Sequence, residues 1–299
     1  MTNNNISRTR VAPPIGGFIE IDGRRIFVHR AGSGGPAVVF LSGASAVGLD
    51  YFAVQQGVSE FSTAVVYDRC GTGFSDHLPL PRTAAAVATE LRELLRACDI
   101  PGPYVLAAHS LGGLYAHRFA QLFPSEVAGL IWLDALHREW DDFMPAAVGL
   151  AATERMAADP DQLEQLRPIL REWADESLAD YPKQLREQLF DAKMTEEWIR
   201  SGIAEQSTLV ELAAELRIGL GIPDVPVIAL TVLGGDPERM PTLRAVYEAK
   251  TRMDAALVNS VEHGEQRILT DTLHHRLCVD RPDAVVAAVR DIIARVSRS

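Results

Sequence analysis

The sequence predicts an α/β fold in which a mostly parallel sheet is interrupted once by a block of helices. Three observations carry that expectation. Short apolar runs rich in Val, Ile, Leu and Phe recur along the chain between Gly, Pro and Asp, as strands buried on both faces require. Stretches of helical periodicity fall between them. The alternation stops from about residue 138 to 222, where the pattern is helical throughout, and then resumes. The boundaries that follow are a disordered N-terminal arm over 1–16, a core made from 17–137 and 223–299, and a helical cap (lid) over 138–222.

Each element has its own reason. GFIEI (17–21) and RIFVHR (25–30) flank Asp22-Gly23, a hairpin-turn dipeptide, so they pair antiparallel. AVVFL (37–41) and TAVVYD (63–68) are continuous apolar runs, the pattern of parallel strands covered on both faces. Thr83 can cap the next helix, in which Val87, Leu91, Leu94 and Leu95 share a face. A strand over 103–108, a helix over 111–123 and a strand over 128–134 follow. After the helical block come a strand at 225–232, a helix around 238–257, a strand at 267–271 and a closing amphipathic helix near 282–297.

Composition narrows the function. With 299 residues and 47% hydrophobic content, the chain can fill a sizeable core. Its net charge of -11 argues against a nucleic-acid backbone or an anionic membrane surface as partner. Most of that charge sits in residues 138–222, which hold 18 acidic and 9 basic residues. This acidity belongs to a solvated helix surface, or it selects neutral and cationic substrates. Cys70, Cys98 and Cys278, an odd number without a CxxC pair, fit a reducing compartment and neither a disulfide framework nor a zinc site. The first residues lack the apolar region of a secretory signal, and no apolar run approaches the roughly 18 residues of a membrane span. These features predict a cytoplasmic protein; oligomeric state is not legible.

One motif carries chemistry. Ala108-His109-Ser110-Leu111-Gly112 lies between a buried strand and a helix, the setting of a sharp turn that lifts a serine hydroxyl above a sheet edge. The crowded turn demands small residues two before and two after the serine, and Ala108 and Gly112 supply them. The helix N-terminus offers the Leu111 N–H to a developing negative charge. The alternative is a serine-capped helix without chemistry.

From about residue 17 to 297 the chain resembles the α/β-hydrolase fold superfamily. YDRCGTGFSD (67–76) is similar to the loop after the fourth strand in a large subgroup. LSGASAVG (41–48) stands where that fold carries its oxyanion loop, with Ser42 in place of the usual His, a departure that bears on loop rigidity. The resemblance implies an eight-stranded sheet with an inserted helical cap, and Ala44 as the second backbone donor of the oxyanion hole. It also implies a base after the last strand, in LHHRLCVDRPDAVVAAV (273–289), where His275 stands seven residues before Pro282, the matching distance; His274 would face elsewhere. For the orienting acid two positions stay open, with Asp134 favoured because it ends an apolar strand, and Asp236 as the alternative in the loop after the next strand. His109, His117 and His137 are expected to be structural, and Asp68, Arg69 and Asp76 to form an ion-paired loop bracing the fourth strand.

The resulting expectation is a serine esterase or lactonase. Ser110 acts through an acyl-enzyme, His275 is its base, and a small-molecule ester or lactone is its substrate. Such a mechanism would need no metal and no cofactor. Serine in place of aspartate as nucleophile speaks against epoxide hydrolysis and dehalogenation. Thioesterase or aminopeptidase-like activity, or a non-hydrolytic receptor or lyase on the same scaffold, are the alternatives. Trp140, Phe143 and Met144 of the cap are candidate pocket residues.

Overall fold

A computed structural model describes residues 12–156, 163–236 and 241–298. The expected arm over 1–16 lies for the most part outside the described residues. Eight strands form one sheet: β1 (Gly17–Ile21), β2 (Arg24–Ala31), β3 (Val38–Leu41), β4 (Ala64–Tyr67), β5 (Tyr104–His109), β6 (Val127–Leu133), β7 (Val227–Val232) and β8 (Gly264–Leu269). Their spatial order is β1-β2-β4-β3-β5-β6-β7-β8. β1 and β2 pair antiparallel across the Asp22-Gly23 turn, and β2 runs antiparallel to β4; every other pairing is parallel. Strands β3 to β7 are buried along their whole length, because helices cover both faces.

The helices are α1 (Phe52–Ser59), α2 (Ala84–Ala97), α3 (Gly112–Leu122), α4 (Trp140–Phe143), α5 (Leu150–Met156), α6 (Leu163–Ser177), α7 (Lys183–Lys193), α8 (Glu196–Glu205), α9 (Leu209–Arg217), α10 (Pro241–Val258), α11 (Leu277–Asp280) and α12 (Pro282–Val296). Helices α2 and α3 pack on one face of the sheet through Leu91, Leu94, Leu114 and Phe119; α1 and α12 pack on the other through Val54, Val58, Val285 and Ile292. The Thr83 side chain accepts from the Ala86 N–H, capping α2 as its residue type requires. Helix α1 falls in a stretch the strand pattern passes over, and β8 begins three residues before its apolar run because an edge strand tolerates Glu265 and Gln266. Between β6 and β7 the elements are helical, α4 to α9 with short 3-10 turns.

The topology places the site. The chain passes from β3 to β4 on one side and then returns across β3 to β5 on the other, so connections diverge at the carboxyl ends of β3 and β5. In open α/β sheets that divergence leaves the crevice where ligands bind. The loop 42–47 and Ser110 lie at those two ends. Helix α3 can enter there only because Gly112 has no side chain: a Cβ would run into the Leu41 carbonyl oxygen at the end of β3. We expect Gly112→Ala to lower stability by about 1–3 kcal/mol, read as a lower urea midpoint at unchanged slope. A midpoint at or above wild type would show that the helix has room to spare.

Candidate active site

Ser110 directly follows β5 with φ of 50°, a left-handed conformation that costs a non-glycine residue about 1–2 kcal/mol. Its carbonyl is bound from two sides, by the N–H groups of Gly113 (2.9 Å) and Leu136 (2.8 Å), which holds the turn in place. Leu111 has helical dihedrals and opens α3, so its N–H has no acceptor four residues back. Across the crevice, a Cβ on Gly43 would stand 3.0 Å from the Ser110 Cβ, which sets the loop 42–45 directly against the serine.

Asp134 repeats the device one strand over. It follows β6, its φ is 48°, and its side chain is 1% exposed. Its carboxylate accepts the Val232 N–H (3.0 Å), the Lys250 ammonium (2.6 Å) and His274 Nδ1 (2.6 Å). Burial alone would push this carboxyl group up; Lys250 and His274 outweigh burial and hold it well below the usual carboxylate range. With Nδ1 given to Asp134, Nε2 is the His274 ring nitrogen left outside that bond.

The structure brings His274, not His275, to Asp134. Residues 274–276 form a 3-10 turn with three residues per turn, so neighbouring side chains diverge and only one can meet the acid. The His275 ring lies over Trp173 of α6, with centroids 5.9 Å apart, and burial followed by the neighbouring His274 lowers its pKa. Asp236 is exposed in the loop after β7, whereas the Asp134 side chain is buried. Trp140, Phe143 and Met144 pack with Ala249 and Met253, joining α4 to α10, and Trp140 Nε1 donates to the Val148 carbonyl (2.9 Å). That cluster packs the start of the helical segment against α10.

His109 sits in a directed chain of bonds. Its Nε2 is 3.0 Å from the His274 carbonyl oxygen, which only accepts, so Nε2 carries the proton. Burial and then His274 pull its pKa down to about 3, so Nδ1 is bare and accepts the Tyr51 hydroxyl (2.8 Å). Tyr51 Oη in turn accepts the Gly43 N–H (3.1 Å). The oxyanion-loop candidate is thus tied to the backbone of His274 through the residue preceding Ser110. Sequence reasoning passed over this link and over Lys250, which lies 116 residues from Asp134. The one available signal for Lys250 was its place between Ala249 and Met253, two buried positions of α10.

The loop after β4 is braced by ions as well as by hydrogen bonds. Arg25 pairs with Asp76 (3.2 Å). Asp68 accepts the N–H groups of Gly48 (2.8 Å) and Phe74 (2.9 Å), and burial raises its pKa to about 7. Ser42 accepts Arg69 Nη1 at 2.9 Å, so serine in place of the usual histidine still anchors its loop. His137 is buried against Asp254 (2.8 Å), four residues along α10 from Lys250, which fixes that helix. Among the described residues no group of three His, Cys, Asp or Glu side chains is arranged to hold a metal. No described helix is long and apolar enough to cross a membrane.

A model of the alpha/beta hydrolase family matches residues 38–288, from β3 into α12. The chain belongs to that family. Among curated relatives, an uncharacterized protein of Schizosaccharomyces pombe is 40% identical over 82 residues, covering 27% of this chain and 15% of its own length. A putative carbamate hydrolase, RutD of Cronobacter turicensis, is 32% identical over 160 residues, covering 48% and 58%. The chain therefore spans less than two thirds of these relatives. Of solved structures, Cfl2 from Burkholderia cenocepacia superposes with a TM-score of 0.70 at 23% identity, covering 95% of this chain and 98% of its own. The epoxide hydrolase CorEH gives 0.65 at 22% identity over 94% and 98%. Est816, an N-acyl homoserine lactone degrading enzyme, gives 0.55 at 19% identity over 92% and 99%. At these identities the three share the family's fold.

Two outcomes follow for this family member. Lys250→Met should cost stability toward the lower end of the ~3–5 kcal/mol range for breaking a buried pair, since His274 and the Val232 N–H remain. Asp134 is held below its unfolded pKa, so its contribution is present above about pH 4 and fades as the medium becomes more acidic; the gap between wild type and variant should narrow from about pH 7 to about pH 3 in urea titrations. A constant gap would contradict the assignment. Nitrogen NMR should show His109 as the neutral Nε2–H tautomer from about pH 8 to about pH 4, and a midpoint near the ordinary ~6.5 would overturn the bond chain.

Proposed function

We propose that this chain is a serine hydrolase that cleaves a carboxylic ester or lactone through an acyl-enzyme on Ser110. The observation that carries the reading is the 2.6 Å bond from His274 to the buried, ionised Asp134, with the His274 ring 4.9 Å from that of His109, the residue before Ser110. In this reading His274 Nε2 takes the Ser110 proton while Oγ attacks the substrate carbonyl carbon. Asp134 stays ionised, fixes the imidazole tautomer and stabilises its charged form. The N–H groups of Leu111 and Ala44 receive the oxyanion, each donor contributing about 3–4 kcal/mol in comparable enzymes.

Collapse of the tetrahedral species breaks the carbon–oxygen bond, and His274 returns the proton to the departing alkoxide. Water, deprotonated by the same histidine, then attacks the acyl carbon; the acyl–Oγ bond breaks, the acid leaves, and His274 returns the proton to Ser110. For a lactone, alcohol and acid leave as one hydroxy acid. Serine as the nucleophile separates this chemistry from that of epoxide hydrolases in the family, while the similarity to a putative carbamate hydrolase is consistent with attack on an acyl carbon. The substrate is a small molecule that reaches the crevice beneath the helical segment 138–222, which serves as the cap.

Hydrolysis of p-nitrophenyl butyrate tests the reading. Ser110→Ala should abolish turnover, Asp134→Asn should lower it by about 10³–10⁴, and Asp236→Asn should leave it within about twofold of wild type. Wild-type turnover no faster than that of Ser110→Ala would sink the esterase reading in favour of a receptor or lyase.

A further inference from the structure

Arg69, in the loop after β4, and Glu205, the last residue of α8, meet in the interior with each side chain 2% exposed. Arg69 Nε and Nη2 donate to Glu205 Oε1 at 2.9 and 2.6 Å. Burying two charges costs several kcal/mol per ion, and well-packed apolar residues would often be as stable, so the pair is poorly explained by stability alone. Glu205 is also a negative charge at the C-terminal, negative end of a helix. What the pair does for its neighbours is more specific.

The remaining guanidinium hydrogens grip the loop after β3. Nη1 donates to the Ser42 carbonyl (2.8 Å), and Nη2 donates to the Gly43 carbonyl (3.1 Å). In a planar trans peptide the C=O and N–H point in opposite directions. The Ser42–Gly43 unit obeys this visibly: its oxygen is on Arg69, and its N–H is on Tyr51, on the side that leads to His109 and Ser110. The Gly43–Ala44 unit has its oxygen on the same guanidinium, which turns the Ala44 N–H away from Arg69. One residue on, the Ser45 N–H donates to Glu205 Oε2 (3.2 Å), and Ser45 is held at φ of 63°. Gly202 of α8 packs so closely there that a Cβ would collide with the Ser45 side chain. Arginine holds the carbonyls of this loop, and the glutamate of α8 holds both the arginine and the next N–H.

We propose that Arg69 and Glu205 are a positioning pair through which the helical segment sets the direction of the Ala44 N–H, and with it the competence of the oxyanion hole. This rests on the reading of Ser110 as nucleophile and Ala44 as oxyanion donor. Seating of α8 and readiness for catalysis then become one event. Displacing α8 removes an anchor of the guanidinium and the acceptor of Ser45 together, and frees the Gly43–Ala44 peptide to rotate. Because the Ala44 donor matters most when charge has developed, its loss falls on kcat and spares KM.

Glu205→Gln keeps the shape and removes the charge. Its kcat for p-nitrophenyl butyrate should fall about 10- to 100-fold with KM within about twofold. Affinity for an alkylboronic acid, which forms a tetrahedral anionic adduct on the serine, should fall by a similar factor. Arg69→Lys should behave likewise, because a three-donor ammonium does not reproduce the planar, five-donor fork that spans Glu205, Ser42 and Gly43; it supplies the comparison if Glu205→Gln does not fold. A crystal structure of either variant should show the Gly43 carbonyl turned from its wild-type direction. Wild-type kcat and boronate affinity in a folded variant, or an unmoved Gly43–Ala44 peptide, would overturn the proposal. If wild type neither hydrolyses the ester nor binds the boronate, the nucleophile reading has failed instead, and the peptide direction in the variant structure still decides the pair.

Discussion

A carboxylate removed from water must be surrounded by donors or give up its charge, and Asp134 meets that demand with groups from three separate elements. The Val232 N–H comes from β7, the Lys250 ammonium from α10 and the His274 imidazole from the turn after β8. Lys250 is held in turn by the Val232 carbonyl (2.7 Å), and α10 by the bond between Asp254 and His137. The requirement to satisfy one buried charge therefore sets the mutual position of two strand ends, one helix and one turn. His274 takes its orientation from that arrangement, and little of its own burial is needed: its side chain is 45% exposed while the acid beneath it is closed off.

Ser110 and Asp134 both follow buried parallel strands, and both leave the strand in a left-handed conformation. The strain in each is offset by a backbone bond to a neighbouring element: Leu136 N–H to the Ser110 carbonyl (2.8 Å), and Asp134 N–H to the Leu230 carbonyl (2.9 Å). The bond from Leu136 also ties the residues just after Asp134 to the serine turn, so the two departures are built on each other. A second system closes the opposite wall, where Tyr51 and His109 run from Gly43 to the His274 backbone. Trp198 of α8 packs edge-on against Phe74 beside the Arg69 loop, with centroids 5.4 Å apart, and Trp173 covers His275. Trp198 thus helps seat α8 beside the strand ends, whereas Trp140 packs against α10 and Trp173 stays more than half exposed.

Much of the fold was legible because parallel strands buried on both faces write themselves as unbroken apolar runs, and because Asp22-Gly23 and Thr83 have specific turn and cap chemistry. Helix α1 was not, since its eight residues carry no strong helical period. Ser110 was legible from the strand, small residues and helix around it. The choice between Asp134 and Asp236 was legible only in part: Asp134 directly ends its strand, but its bonds to His274 and Lys250 appear only once the turn after β8 and helix α10 are in place. The adjacent histidines show the sharpest limit. A spacing to Pro282 cannot register the phase of a 3-10 turn, and one residue of phase exchanges a side chain facing Asp134 for one facing Trp173. Lys250 and Glu205 are contacts across 116 and 136 residues, visible only once helices α10 and α8 are in place.

The proposed chemistry requires His274, oriented by Asp134, to activate Ser110. Labelling with a fluorophosphonate, read by mass spectrometry of the modified peptide, addresses this without a natural substrate. The label should attach to Ser110 in the wild type, be lost or slowed by orders of magnitude in His274→Ala, and proceed at near wild-type rate in His275→Ala. Unchanged labelling in His274→Ala, or its loss in His275→Ala alone, would contradict the assignment of the base.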